Sequence, residues 1–557
     1  MRKWNLTLLI SLLSICADAQ YAREWGSYFG GGAIDLPYDI TTDPTGNVIL
    51  TGQTESPTGI AYQGFQQSYN GQKDAFLVKA DAMGNIMWGT YFGGMMAESG
   101  TGVAADASGN IYMAGNTRST SGIATPGAYL DTITNPFINY GFLARFDAGG
   151  NRVWATYFTV LSINDVACDP DGNIYITGMA DSSSVIPAGG FQPASGGDVD
   201  GFIAKFSPAG ALIWATYYGG MARDYFKQVA VDVSGNVYAA GTTQSANAIA
   251  SGGFQNTYGG IEDAVVVKFD ANGNRLWASY YGGADYDVAN SVASDELGNV
   301  YIAGSTSSTS GIAAGGFQNA MTSTNNYYHD CFLAKFDAAG NRLWATYYGG
   351  NSMDHMGNVD VDKNNHAYLS GATRSAGGVA SGGYENNLVG ISNTFVAEFD
   401  PAGNRLCATY YSNDLNGIGF NGVGVSLVTD NFGNVFHCGN TNDTAGIAAG
   451  GFQNTFGGGV WDVFVVKFKS CSSTAVAEQE YQPGLLQLYP NPAADAFTVK
   501  TTEAGEMRIY NAQGKLVDCR ILSAGETVLD LTEAAAGLYT LQFISPKGYS
   551  IQKLIRK

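Results

Sequence analysis

The sequence predicts an all-β chain, a seven-bladed β-propeller followed by a small immunoglobulin-like β-sandwich, and three observations carry that expectation. Close copies of Asp270 to Gly283, DANGNRLWASYYGG, recur along most of the 557 residues. The tryptophan of this motif stands at Trp25, Trp88, Trp154, Trp214, Trp277 and Trp344, Cys407 takes its place in a seventh copy, and successive positions differ by 63, 66, 60, 63, 67 and 63 residues. That period exceeds the roughly 20 to 47 residues of leucine-rich and helical repeats and suits a four-stranded blade with one long loop. Composition agrees, because 75 Gly and 33 Tyr against 14% charged residues describe many short strands joined by tight turns. After Phe468 the period stops, and short alternating strands over about the last 70 residues indicate a separate sandwich.

The chain begins with Arg2 and Lys3, an apolar run from Leu6 to Ile15, and Ala17-Asp18-Ala19. This is the three-part plan of a secretory signal peptide, so residues 1–19 are expected to be removed between Ala19 and Gln20. The apolar run is about half of the roughly 20 residues that a spanning helix needs, and no later stretch approaches that length, so no transmembrane segment is expected in the mature protein. A net charge of −20 without basic clusters speaks against nucleic acid as a partner. Cys168, Cys331, Cys407, Cys438, Cys471 and Cys519 occupy non-equivalent places, with no Cys-x-x-Cys or Cys/His spacing. Neither a repeating disulfide framework nor zinc is therefore expected, which leaves one or two isolated disulfides or free buried thiols.

The copy beginning at Trp214 shows the four strands of a repeat: WATYYGG, then Lys227 to Asp232, then Asn236 to Thr243, then Asp263 to Phe269 after a loop containing SGGFQNTYGG. All are rich in β-branched and aromatic residues. Two junctions share one turn design, seen as Asp43-Pro-Thr-Gly-Asn47 between the second and third strands and as Asp270-Ala-Asn-Gly-Asn274 before the next tryptophan strand. Asp accepts a backbone N–H two residues on, and Gly supplies positive φ. One copy, Asp362-Lys-Asn-Asn-His366, lacks the glycine. A calcium loop is the rival reading, but only Asp169 and Asp171 alternate oxygens and no Glu closes a twelve-residue loop. Because these hairpins join the fourth strand to the following WATYYGG, each sheet crosses a repeat boundary. The last set, ending at Phe468, then lacks a fourth strand that Trp25 to Gly31 can provide, closing the ring and protecting its edges.

In order, these motifs read VAxDxxGNVYxxGxT, a GGFQ-like loop, DAFVAKFDxxGN and WxTYxGG, and they resemble the SBBP beta-propeller repeat family over roughly Trp25 to Phe468. That resemblance implies a fold and no shared reaction. The third repeat departs from it with Thr159 and Val160 in place of the glycine pair, and the seventh with Ser412 and Asn413. A linker is expected over residues 469–484, between a propeller at 20–468 and a last domain at 485–557. In that last domain Leu488-Tyr-Pro-Asn-Pro492, IYNAQGKLV, AGLYTLQF and the basic final residues resemble the type A C-terminal sorting domain of the type IX secretion system. This implies the secretion machinery as a partner and a location outside, or on the outer surface of, a Gram-negative bacterium.

No HExxH, GxSxG or P-loop is present, and the four histidines are scattered, so no catalytic, metal or cofactor residues are predicted. One constellation recurs just after the glycine pair: Asp35, Glu98, Asp165, Asp224, Asp287, Asp354 and Asp414. These are expected to crowd one mouth of the central channel, where like charges favour a cation or a basic ligand. The structural alternative has each one tying down its loop, with Lys79, Arg145, Lys205, Lys268, Lys335 and Lys467 as salt-bridge partners and Glu398 as the exception. The function expected is that of a secreted or surface-attached, non-enzymatic, monomeric propeller that binds polysaccharide or another surface macromolecule. Its specificity is expected in the loops Thr125 to Tyr140 and Ala320 to Asp330, which depart most from the repeat. The alternatives are a hydrolase or lyase acting on polysaccharide and a purely structural extracellular component.

Overall fold

The computed structural model describes residues 21–557 apart from 188, 324–328, 415–424, 472–483 and, toward the C-terminus, 495, 503, 512–515, 531–534 and 546–547. The signal peptide with its Ala19–Gln20 junction, and most of the expected linker, lie outside the described residues. Every element among the described residues is a β-strand, and no helix there is long and apolar enough to cross a membrane. The chain divides into two compact units, residues 1–474 and 475–557.

In the first unit, strand β1 (Ala22–Phe29) precedes a four-stranded antiparallel sheet of β2 (Asp35–Thr42), β3 (Val48–Thr54), β4 (Asp74–Ala80) and β5 (Ile86–Phe92), in sequence order. Residues 98–158, 162–218, 224–281, 287–348 and 354–414 repeat this plan as sheets 2 to 6. Sheet 7 takes three strands from Ser426–Thr429, Asn434–Thr441 and Asp462–Lys469, and β1 supplies its outer strand. The first strands of consecutive sheets touch one another from sheet 1 to sheet 7, and that of sheet 7 touches β2, giving a propeller-like arrangement. Middle strands such as Val237–Thr243 and Asp263–Phe269 are buried along their whole length. Apolar side chains of neighbouring sheets interlock on both faces, as where Tyr238 and Val266 of sheet 4 meet Val292 and Phe332 of sheet 5. This explains strands that are apolar throughout rather than alternating.

The turns follow local chemistry. Asp43 Oδ1 accepts the Thr45 N–H at 2.9 Å and Oδ2 accepts Asn47 Nδ2 at 2.8 Å, while Gly46 sits at φ +81°. In the copy without glycine, Asn365 adopts φ +62°, a region Asn tolerates better than most residues. In the second turn type the glycine is needed twice, for its φ and for close approach to an indole of the preceding sheet. At Gly84 (φ +83°) a methyl group would stand 2.9 Å from Trp25 Cδ2, and Trp25 Nε1 donates to the Ala82 carbonyl at 3.1 Å. The same pairing joins Trp88 to Gly150, Trp214 to Gly273, Trp277 to Gly340 and Trp344 to Gly403.

Cys407, in the tryptophan's place, forms a disulfide with Cys471 just after the last strand of the unit. Cys168, Cys331 and Cys438 are free thiols. The predicted lysine pairings are corrected: Lys79 pairs with Asp43 at 2.8 Å, Lys205 with Asp169 at 3.6 Å and Lys335 with Asp295 at 3.7 Å. These partners are turn aspartates at the opposite end of the strands, because the lysine is the sixth residue of its strand.

In the C-terminal unit, a three-stranded sheet (Leu486–Tyr489, Ala496–Thr501, Gly525–Asp530) and a four-stranded sheet (Leu516–Leu522, Gly505–Tyr510, Gly537–Ser545, Gly548–Arg556) share one core. Phe497, Val499, Met507, Leu541, Phe543 and Leu554 form its centre.

Candidate functional site

The first strands of sheets 1 to 6 each carry a bulge that turns a residue toward the middle of the unit. In β2 the register slips between Pro37 and Asp39, and in sheet 3 between Ile163 and Asp165. The residues that follow these bulges line a channel of about 330 Å3 reached by the first strands of all seven sheets, with Asp39, Asp165, Gln228 and Asp360 among its polar walls. Several reach to the next sheet. Asp39 Oδ2 accepts the Val103 N–H, and Asp165 Oδ2 the Val229 N–H, both at 2.9 Å; Gln228 Oε1 accepts the Val292 N–H at 2.8 Å. Sheet 2 has Gly102 at this register, where a methyl group would stand 2.8 Å from Asp165 Oδ1. Burial pushes Asp39 up to about 7. Burial, then the Asp39 charge, raise Asp165 well above the carboxylate range. Burial therefore disfavours the charged form of both carboxylates.

The seven carboxylates expected at the channel mouth separate into three groups. Asp35, Glu98, Asp224, Asp287 and Asp354 are buried and each begins the first strand of its sheet. Each accepts the N–H of the second residue of the glycine pair, at 2.8 Å for Gly31 to Asp35 and 2.7 Å for Gly350 to Asp354. Hydroxyls of the same sheet complete the set, with Thr54 and Ser56 on Asp35, and Thr306 and Ser308 on Asp287. Asp165 belongs to the channel group instead. Its sheet pairs Ser162 with Met179 where sheet 1 pairs Leu36 with Gln53, so Leu161 is the counterpart of Asp35. Asp414 ends the outer strand of sheet 6, opposite Ser392.

Each of the five buried carboxylates faces a second one across a sheet junction, from the first residue of the preceding sheet's third strand. The pairs are Asp462 with Asp35, Asp74 with Glu98, Asp200 with Asp224, Asp263 with Asp287 and Asp330 with Asp354. In each, oxygens from both partners converge above the first glycine of the pair. A methyl group on Gly30 would stand 2.6 Å from Asp462 Oδ1 and 2.7 Å from Asp35 Oδ2, and one on Gly349 2.9 Å from Asp330 Oδ1 and 2.7 Å from Asp354 Oδ2. Oδ1 of Asp74, Asp200, Asp330 and Asp462 is buried and accepts no hydrogen bond. Sequence reasoning passed over these aspartates as strand starts. Their recurrence beside the glycine pair was the available signal.

A further pocket, of about 470 Å3, lies where sheets 2 and 3 meet, lined by Tyr129, Trp154, Pro187 and residues 209–212. Trp154 is half-buried, whereas Trp25, Trp88, Trp214, Trp277 and Trp344 are all at most 6% exposed. Tyr129 belongs to the divergent loop Thr125 to Tyr140, which also exposes Phe137 and Ile138.

Residues 153–184 and 276–311 match the model of the beta-propeller repeat, SBBP, and residues 487–557 match that of the secretion system C-terminal sorting domain. The chain carries SBBP repeats and a type IX sorting tail. That tail marks the chain for secretion to the cell surface or beyond, in a Gram-negative bacterium, and implies engagement with the type IX machinery. A curated relative, the uncharacterized WD repeat-containing protein L264 of Acanthamoeba polyphaga mimivirus, is 23% identical over 514 residues, covering 74% of this chain and 36% of its own length. Among solved structures, the WD40 beta propeller domain of Doa1 is similar at 10% identity and TM-score 0.39, over 80% of this chain and 96% of that one. YCF48 bound to D1 peptide is similar at 9% identity and TM-score 0.37, over 81% and 96% respectively.

Proposed function

We propose that residues 20–468 form a closed, seven-bladed propeller, followed by a linker over 469–484 and an immunoglobulin-like sorting domain over 485–557. The exported, monomeric propeller is a non-enzymatic module that binds polysaccharide or another surface macromolecule. Closure is supported by the pairing of β1 with the last strand of sheet 7. The observation that carries the binding reading is the break in the repeat between sheets 2 and 3. There the glycine pair is replaced, a divergent loop rises, and a tryptophan buried elsewhere opens beside Tyr129 onto a pocket of ligand size.

The test is binding of the labelled full-length mature protein to a glycan array and to extracts of bacterial surface polysaccharide. The expected result is saturable binding that weakens at least tenfold in Tyr129→Ala. Silence throughout, or binding indifferent to Tyr129→Ala, contradicts the reading. A hydrolase or lyase is the second reading, favoured by the two carboxylates, Asp39 and Asp165, that line the channel. It requires depolymerisation that Asp165→Asn abolishes. A purely structural component is what remains if neither binding nor cleavage is found.

A further inference from the structure

The carboxylate pairs at the sheet junctions face one another without a counter-charge. In the first pair, Glu98 Oε2 accepts the Gly94 N–H at 2.7 Å and Oε1 accepts the Thr117 hydroxyl at 2.7 Å. Across the junction, Asp74 Oδ2 accepts the Asn70 N–H at 3.0 Å and Gln66 Nε2 at 3.1 Å. The Oε1 of the same Gln66 holds the Gly93 N–H at 3.2 Å. Asp74 Oδ1 nevertheless has no donor, is fully buried, and points at the place over Gly93 where Glu98 Oε2 also lies. No ion pair among the described residues reaches either member of any of the five pairs.

At the two junctions that lack the aspartate of the third strand, the glycine pair is replaced as well. Between sheets 2 and 3, Tyr140 stands opposite Thr117 as Asp74 stands opposite Thr54. There the glycine pair has become Thr159-Val160, and Leu161 and Ala180 occupy the places of the acid and its hydroxyl partner. Between sheets 6 and 7, Asn393 stands opposite Thr373 and the glycine pair has become Ser412-Asn413. A glycine pair needed only for a turn would not disappear together with an aspartate on another strand. Both are required where two carboxylates must meet.

We propose that these five junctions are calcium sites, each held by one carboxylate from either sheet, and that calcium ties neighbouring sheets of the ring together. Ca2+ takes oxygen ligands from carboxylates and backbone carbonyls in flexible geometry, and extracellular modules bind it at about 10⁻⁴ to 10⁻³ M. Mg2+ demands near-octahedral geometry and keeps its waters, so it is a poorer fit to acids packed against glycine Cα atoms. A hard divalent cation neutralises both carboxylates and supplies Asp74 Oδ1 with a partner. A proton shared between the two acids is the competing occupant.

The experiment is Ca2+ titration of EDTA-treated full-length protein at pH 7.5, by calorimetry and by equilibrium dialysis, alongside thermal unfolding in EDTA and in 5 mM CaCl2. The expected result is saturable uptake of several Ca2+ per chain, up to five, with a rise in melting temperature in CaCl2. Asp330→Asn, shown folded by circular dichroism, binds one fewer. No uptake with equal melting temperatures in EDTA and CaCl2 overturns the proposal in favour of the shared proton, and that outcome needs no variant. Unchanged stoichiometry in folded Asp330→Asn also overturns it.

Discussion

Trp25, the fourth residue of the first strand, is the strand partner of Lys467, two residues from the end of the last strand of the ring. Its indole lies over Gly84 of sheet 1 and its N–H bonds to the Ala82 carbonyl. The residue thus belongs by hydrogen bonding to sheet 7 and by packing to sheet 1, and the most distant segments of the first unit meet there. An edge strand left unpaired at this point would offer itself to other chains.

Trp25→Ala should therefore cost stability as a core truncation does, about 3–5 kcal/mol, although the residue sits near the N-terminus, where fraying is usual. Urea unfolding followed by tyrosine fluorescence measures it. A loss below about 1 kcal/mol would mean that the first strand frays independently of the ring.

Reduction of Cys407–Cys471 should lower the melting temperature without changing the secondary structure. The disulfide closes a loop with a sequence separation of 64, and such a link is worth about 2–4 kcal/mol. It also fixes Cys471, whose N–H donates to Glu398 Oε2 at 2.8 Å. Cys471→Ser compared with wild type by thermal unfolding checks it, and equal stability would show that sheet 6 holds this segment without the covalent link.

In EDTA, stability should fall as pH rises. Burial, and then for Asp330 the charge of Asp354, raise Asp330 to about 7, and burial chiefly raises Asp74 and Asp462 to about 7, against about 3.9 in the unfolded chain. A carboxyl raised on folding gives stability that is fully present below pH about 4 and is lost as pH rises through about 7. Melting temperatures in EDTA should thus decline from pH 5.5 to 8.5. Asp43, held down at about 2 by its hydrogen bonds and by Lys79, acts in the opposite sense, and only on acidification below pH about 4. A melting temperature that climbs between pH 5.5 and 8.5 in EDTA would contradict the burial of ionisable pairs at the junctions.

What the sequence disclosed was what its local chemistry determines. The repeat period, the Asp-x-x-Gly-Asn turns and the strand order follow from hydrogen bonds and φ angles a few residues apart, and Asn365 taking positive φ in place of glycine shows how tightly that geometry is kept. The site was less legible because its members meet across sheets. Asp39 and Asp165 come to one channel through bulges that no spacing announces, and Lys79 lies five residues from Asp74 yet reaches Asp43 in a turn between two other strands. The partner of Asp35 is Asp462, at the far end of the ring, and the partner of Cys407 is Cys471 beyond the last strand. Such contacts join segments far apart in the chain, and local pattern does not specify which side chains meet there.

Closure itself is tested most directly by a cross-link between the first strand and the last. Ala22 and Lys469 are paired partners at the end of that ladder, and paired residues on antiparallel strands lie about 4.5–5.5 Å apart, within reach of a disulfide. The double variant Ala22→Cys, Lys469→Cys, purified after mild oxidation, should run as a closed species of altered mobility on non-reducing gels and report one additional disulfide by mass spectrometry after proteolysis. Two free thiols at these positions in a folded, soluble protein would contradict a ring completed by its own first strand.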